Sequence, residues 1–287
     1  MPTDYLYPES VEEALEFLEA HEGRARMIAG GTDVLPDVRK GKIAPECLVD
    51  VTRIQDLSAI EVAESTVTVG AAVTFAAIRE HAFLNEHVHA LVEAARSVGA
   101  AAIQNAATWV GNIVQGMPAA DGAIIAIALD ADARIVDRGG ARWQPVESLF
   151  EGPGVSAVDP TRQIVTAIRF PRPDSRTGTA WQRVGRRSAL VLPILNCAVR
   201  ICLAPGEHVT QATIALGPVA PRPQRMRQAE SFLSGRIPTA EAVAKAARLA
   251  AGEAQPRSSV MRASRDYRLK IIPVLVTEAL NAALDRA

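Results

Sequence analysis

Met27-Ile28-Ala29-Gly30-Gly31-Thr32-Asp33-Val34 closes a short apolar run, Ala25 to Ala29, and opens a helical piece carrying Val34, Leu35 and Val38; the strand Cys47 to Val51 follows. A glycine pair at such a junction turns the chain sharply and presents successive amide N–H groups with no Cβ atoms in the way. Thr32 adds a hydroxyl donor, and the helix that follows directs its positive end to the same place. Taken alone, the segment also reads as a tight turn capped by Asp33. It is neither a Gly-x-Gly-x-x-Gly fingerprint nor a Walker loop with its Lys, which disfavours the usual dinucleotide and triphosphate folds.

Upstream, Ser10 and Glu13 make a capping box for a helix with Val11, Ala14, Leu15 and Leu18 at helical spacing, ended by Gly23. Downstream, the β-branched pattern around Val62, Val67 and Val69 reads as a hairpin from Ile60 to Gly70, and Thr74 caps a helix carrying Phe75, Ile78 and Ala82. A further helix spans Val88 to Val98, an apolar run from Ala123 to Leu129 reads as a buried helix behind Asp121, and Arg134 to Val136 and Gln163 to Phe170 read as strands. Pro171, Pro173 and Gly178 mark a boundary. Beyond it, Ala180 to Val184, Ile194 to Leu203 and Val209 to Leu216 read as a small antiparallel sheet, with helices at Gln224 to Leu233, Thr239 to Gly252 and Asp266 to Leu284, the last bent at Pro273. Strands followed by helices favour α+β sub-domains over a regularly alternating sheet. The divisions drawn are 1–55, 56–175 and 176–287.

The 287 residues are 48% hydrophobic and 22% charged with a formal net charge of -1, the balance of an ordinary globular protein. No run reaches the roughly 20 apolar residues that cross a bilayer. Met1 leads into Pro2, Thr3 and Asp4 without a signal segment, so the expected compartment is cytoplasmic. Cys47, Cys197 and Cys202 lack Cys-x-x-Cys spacing, so an iron–sulfur cluster or zinc site would have to lie on another chain. His87 and His89 would share one face of a strand and could hold a metal there, but they fall in a stretch that reads as helix; no metal site is assigned. Arg183, Arg186, Arg187, Arg222, Arg225 and Arg227 could line a nucleic-acid surface, yet no aromatic interleaving accompanies them, and a solvated or subunit-facing role is preferred.

A second unusual segment runs Thr108-Trp109-Val110-Gly111-Asn112-Ile113-Val114-Gln115-Gly116-Met117-Pro118-Ala119-Ala120-Asp121, within a charge-poor stretch rich in small residues. It supplies another glycine turn with several uncharged polar groups. Together the two segments resemble the paired FAD-binding loops of the molybdenum hydroxylase flavin subunits, the medium subunit of carbon monoxide dehydrogenase and the flavin domain of xanthine dehydrogenase. In that family an Ala-Gly-Gly-Thr-like loop and a Thr-x-Gly-Gly-Asn loop clamp the FAD diphosphate, and a Pro-x-x-Asp follows. Ala29, Gly30, Gly31 and Thr32 match the first; Thr108, Gly111, Asn112, Pro118 and Asp121 match the second. The departures are Val110, where the first glycine of the pair is expected, and the bulk of Trp109 before it.

The resemblance covers essentially the whole chain. Gln163 to Pro171 looks like the family strand in which the position of Val165 lies against the isoalloxazine, and Trp181-Gln182-Arg183-Val184-Gly185-Arg186-Arg187 resembles the strand near the ring. Tyr267-Arg268 matches a Tyr-Arg pair near the family's C-terminus. Val165 read without the resemblance is core, and Trp181 a plug between sub-domains.

The resemblance implies a two-part FAD-binding domain of the PCMH/xanthine dehydrogenase flavin type, followed by a domain with a three-stranded antiparallel sheet and a helical bundle. It implies FAD held by Met27, Ile28, Ala29, Gly30, Gly31, Thr32, Asp33, Val34, Thr108, Gly111, Asn112, Gln115, Asp121, Val165, Trp181, Gln182 and Arg183. Asp121 would accept from ribityl or ribose hydroxyls. The partners implied are a molybdopterin-binding large subunit and a small subunit with [2Fe-2S] clusters, in a dimer of heterotrimers. Electrons would pass from those clusters through FAD to an external acceptor, with no catalytic acid or base in this chain. Two other readings stay open: a free-standing FAD oxidoreductase, and a non-catalytic interaction subunit that has lost flavin.

Overall fold

The computed structural model describes residues 4–187 and 190–287; the reading of Met1 to Thr3 lies outside them. Ser10 Oγ accepts from the Glu13 amide at 3.1 Å, as the capping box requires, although the Glu13 carboxylate closes on the Glu9 amide at 2.6 Å. The helix so started, α1 (Val11–Ala20), lies between strands β1 (Asp4–Leu6) and β2 (Ala25–Ile28); α2 (Val34–Arg39) then leads to β3 (Cys47–Asp50). The strands form a parallel sheet of order β1-β3-β2, as helical crossovers dictate. Strand β1, three residues without an apolar pattern, is absent from the sequence reading.

The second unit begins with the expected hairpin, β4 (Ile60–Val62) and β5 (Thr66–Gly70), followed by α3 (Phe75–Glu80), α4 (Ala82–His87), α5 (His89–Ser97), α6 (Ala101–Gln104), α7 (Trp109–Val114) and α8 (Asp121–Ala128). Strands β6 (Asp132–Asp137), β7 (Gly140–Pro145), β8 (Phe150–Gly152), β9 (Val155–Ser156) and β10 (Ile164–Pro171) complete it. Five of these strands make a sheet of order β4-β5-β10-β6-β7, antiparallel throughout. Thr74 caps α3 by accepting from the Ala77 amide at 3.1 Å.

The third unit holds β11 (Thr177–Val184), β12 (Leu195–Leu203), β13 (Val209–Gly217), β14 (Gln224–Arg225), α9 (Arg227–Leu233), α10 (Ala240–Glu253) and α11 (Arg265–Leu284), which contains Pro273. Two details depart from the sequence reading. Gly178 makes no turn: it lies just inside the start of β11, where a Cβ would stand 1.8 Å from the Ala283 carbonyl oxygen of α11. Gln224–Arg225 is not helix but a fourth strand beside β13, from which Arg225 reaches Glu230 at 2.9 Å and Asp130 at 2.8 Å.

Strand alternation sorts this sheet's side chains between two cores. On β12, Leu195, Cys197, Val199 and Ile201 turn toward α9, α10 and α11; Ala198, together with Ala215 of β13, joins the core of α5 and α8. Every residue of α8 is buried, which is why its sequence is apolar all round. The C-terminal sheet is therefore sandwiched between helices, and its inner strands meet the second unit directly.

Candidate functional site

The first glycine segment leaves the C-terminal end of β2, where the strand ends of a parallel sheet open a crevice. Gly31 has φ +68°, a backbone state that favours glycine. The chain then enters α2, with the Leu35 amide donating to the Gly31 carbonyl at 3.0 Å. Among the described residues, no protein acceptor takes the amides of Gly30, Gly31, Thr32, Asp33 or Val34. Asp33 occupies the cap position but makes no side-chain cap bond, so the reading as a turn capped by Asp33 is incorrect. Its carboxyl opens to solvent on one side, yet the loop crowds it enough that burial, then Asp37, pushes it above the usual carboxylate value.

The two segments meet. A Cβ on Gly30 would lie 1.7 Å from the Ala106 carbonyl oxygen and 3.0 Å from the Ala107 nitrogen, directly ahead of Thr108. At the far end, the Asp37 carboxyl of α2 is held low chiefly by Lys42, 2.7 Å away, with Gln115 a lesser influence in the same direction. The second segment is not the expected glycine turn, however. Thr108 Oγ accepts from the Gly111 amide at 3.0 Å and caps the short helix α7, in which Gly111 is helical. What faces the first loop is thus a capped helix start, whose Thr108 and Val110 amides have no protein acceptor among the described residues.

Trp109 and Val110, the two departures from the family pattern, are both buried. Both side chains enter the core. Trp109 Nε1 donates to the Gly122 carbonyl at 2.8 Å, and its ring meets Phe170 edge-on at 6.0 Å. The Asn112 side chain turns inward too, accepting from the Gly122 amide at 2.9 Å and fixing the start of α8.

Asp121, the first residue of α8, is buried at the junction with the C-terminal sheet. It accepts from Asn196 Nδ2 at 2.7 Å and from Ser97 Oγ at 3.2 Å, and it faces Arg183 Nε at 3.6 Å. Burial pushes its carboxyl above the usual value, with Arg183 the strongest opposing influence. Arg183 and Asn196 are cross-strand partners on β11 and β12, so one carboxylate clamps both strands to α8. Asn196 and Ser97 escaped the sequence reading; a lone amide in the apolar run Ile194 to Leu203 was the available signal.

On β11, Trp181 and Arg183 share the face that meets the second unit, while alternation sends the side chain of Gln182 to the opposite face. Trp181 donates its amide to Glu93 Oε2 at 3.2 Å. Three buried polar atoms on this same face have no hydrogen-bond partner among the described residues: Trp181 Nε1, Arg183 Nε and Asn196 Oδ1. Such orphans are rare in folded proteins and call for a missing partner. Val165 is buried beside a bulge in β10 between Val165 and Ala167, in the core that also contains Trp181.

The remaining candidates disperse. His87 ends α4, packed on Phe83 at 4.6 Å, and His89 begins α5. Among the described residues no group of three potential ligands is placed to hold a metal, and no helix is long and apolar enough to cross a membrane. The arginines do not form one patch, since Arg225 pairs with Glu230 and Arg227 with Glu147 at 2.6 Å. A cleft of about 690 Å³ lined by Leu15, Leu18, Arg138 and Thr161 lies at the opposite end of β2 from the glycine loops.

Residues 1–173 match the family described as FAD binding domain in molybdopterin dehydrogenase, and residues 180–283 match the CO dehydrogenase flavoprotein C-terminal domain. The xanthine dehydrogenase FAD-binding subunit of Escherichia coli O157:H7 is 30% identical over 275 residues, covering 94% of this chain and 92% of that protein. The carbon monoxide dehydrogenase medium chain of Hydrogenophaga pseudoflava is 30% identical over 283 residues, covering 99% and 97%. The solved carbon monoxide dehydrogenase from that organism, lacking the Mo-pyranopterin moiety of its cofactor, superposes with a TM-score of 0.92 at 30% identity over 100% of this chain and 99% of that one.

Proposed function

Because the chain belongs to the family of FAD-binding domains of molybdopterin dehydrogenases, we propose that it is the electron-transfer flavin subunit of a molybdenum hydroxylase complex. In that complex it accepts electrons from iron–sulfur clusters of a small subunit and passes them through FAD to an external acceptor. Substrate chemistry belongs to a molybdopterin-binding large subunit, and the working assembly is a cytoplasmic dimer of heterotrimers. Within this chain we divide the work among residues 1–55, 56–175 and 176–287.

The observation that carries the reading is the approach of Gly30 to Ala106 and Ala107, beside amides of both segments that have no protein acceptor among the described residues. Converging amides at helix starts suit a diphosphate, whose charge they meet without a counter-ion. We assign the amides of Gly30 to Val34 and the Thr32 hydroxyl to one side of it, and the amides of Thr108 and Val110 to the other. Met27, Ile28 and Ala29 set the loop's exit from β2, and Gln115 steadies α2 through Asp37. Gly111 and Asn112 act through the helix they build, and Asp121 by seating Arg183 and Trp181.

We assign Trp181 and Val165, which share one core, to the isoalloxazine end. When bound, FAD supplies reversible electron uptake. The chain's own residues orient it, exclude water and hold the Arg183 charge nearby.

Two measurements test this. The chain purified with its partner subunits should show flavin absorbance that bleaches when the complex receives its reducing substrate, whereas the isolated FAD-loaded chain given that substrate should not bleach. Bleaching of the isolated chain would mean that it acts on the substrate by itself. Thr32→Val, which removes one unpartnered hydroxyl, should weaken FAD binding by about 0.5–1.5 kcal/mol in a titration; unchanged affinity would take Thr32 out of the site.

A further inference from the structure

Two turns of the C-terminal unit carry the most exposed large apolar side chains of the described residues. Val260, ahead of α11, is fully exposed and Met261 79% exposed; Leu192 and Leu190, between β11 and β12, are 59% and 58% exposed. The turns touch. Arg186 Nη1 donates to the Met261 carbonyl at 3.2 Å, which joins the chain just beyond β11 to the segment before α11. Each turn is also held from within. The Ser259 amide donates to the Ala263 carbonyl at 2.9 Å and the Arg262 amide to the Ser259 carbonyl at 3.2 Å, while the Arg187 guanidinium closes on the Leu190 carbonyl and that of Arg183 on the Val191 carbonyl. Four apolar side chains are thus offered to solvent by hydrogen-bonded turns in contact, and they share one surface.

Contiguous exposed apolar groups of this kind mark a place where another molecule docks. The rim is basic. Arg186, Arg187, Arg257 and Arg265 are exposed, and the arginine ion pairs of this unit, among the described residues, belong instead to Arg176, Arg183, Arg225, Arg227 and Arg286. Asp266, exposed in the first turn of α11, leaves the rim positive. A second copy of the chain fits poorly there, since a two-fold contact sets the arginines of one rim against those of the other. A different chain, with apolar side chains inside an acidic rim, fits well. Full exposure of Val260 beside Met261 suits the apolar core of a permanent interface more than the polar contact of a passing encounter.

We propose that Leu190, Leu192, Val260 and Met261, rimmed by Arg186, Arg187, Arg257 and Arg265, form the docking surface for the iron–sulfur small subunit. Cysteine-ligated iron–sulfur clusters carry net negative charge from their thiolates, and the arginine rim complements a chain that presents them. An electron donor also has to sit beside the flavin. The surface begins where β11, the strand of Trp181, ends, and Arg183 spans the two places: its Nε faces Asp121 at 3.6 Å while its Nη2 reaches the Val191 carbonyl. The identity of the partner rests on the functional reading above; the position of the surface does not.

The test is purification of the complex through a tag on this chain, co-produced with its partner subunits, with iron per flavin as the readout. Leu192→Asp with Met261→Asp, and separately Arg257→Glu with Arg265→Glu, should each lower iron per flavin about tenfold or more, while the isolated chain keeps its flavin content and melting temperature. Ile237→Asp, at a half-exposed apolar position beyond the opposite end of α10, should leave the complex intact. Hydrogen exchange at residues 258–263 should slow on assembly. Wild-type iron per flavin in both double variants, equal loss in Ile237→Asp, or unchanged exchange at 258–263 would overturn the docking surface alone. A wild-type complex that holds flavin but no iron would overturn the functional reading and this proposal with it. A dimer of the isolated chain that Met261→Asp dissolves would give the surface to a second copy and overturn the proposal as well.

Discussion

Gly30→Ala is expected to yield a folded but weakened chain with little FAD. The added methyl would stand 1.7 Å from the Ala106 carbonyl oxygen, with backbone on both sides of the contact, so the two segments have to part. Overpacking of this kind costs on the order of 1–3 kcal/mol. The same displacement opens the amides that converge there, and a loss of about 1.4 kcal/mol in cofactor binding is already tenfold. Flavin occupancy by absorbance and a denaturant melt check both outcomes. Gly31→Val is less informative, because φ +68° and side-chain atoms of Ile28 and Leu35 within 3.2 Å strain any side chain there whatever the loop binds.

The second large effect is expected from Asp121→Ala. Removing the carboxylate leaves the largely buried Arg183 without its counter-charge and strips Asn196 of its 2.7 Å acceptor. Breaking a buried pair from one side costs about 3–5 kcal/mol. The loss should appear in the melting temperature and, because β11 and β12 come loose from α8, in flavin content as well.

Asp121→Asn separates shape from charge. Burial raises the Asp121 carboxyl above its ordinary value, so the folded chain keeps a proton that the unfolded chain releases. Across the window from the ordinary carboxylate value up to the raised one, stability therefore falls as pH rises. A stability profile against pH should lose that slope in Asp121→Asn; an identical slope in both proteins would show that Asp121 is not its source.

Much of this was legible before any coordinates, for reasons that differ from element to element. Helix α1 announces itself through Ser10 and its apolar spacing, and β12 and β13 through largely apolar stretches containing valine, isoleucine and threonine, because those signals are local. Strand β1 was invisible, since three residues form a strand only when β3 is there to pair with them. The first glycine loop joins β2 to α2 where its residues place it, but Asp33 does not make the capping bond its position suggests.

Thr108-Trp109-Val110-Gly111 looked like a turn because glycine weakens a helix; the Thr108 cap and the burial of Trp109 outweigh that preference. Gly178 shows the same limit, since its reason for being glycine is the carbonyl of Ala283, more than a hundred residues away in sequence. Asn196 was passed over because its partner Asp121 lies 75 residues upstream.

The central claim is that the residue 27–35 and 106–116 segments hold one ligand between them. Hydrogen exchange of the full chain with and without FAD tests it most directly, because the amides of Gly30 to Val34 have no acceptor within the protein among the described residues and are left to exchange freely. The account predicts that FAD slows exchange in both segments together. Slowing in one segment alone, or in neither while flavin is bound, would contradict it.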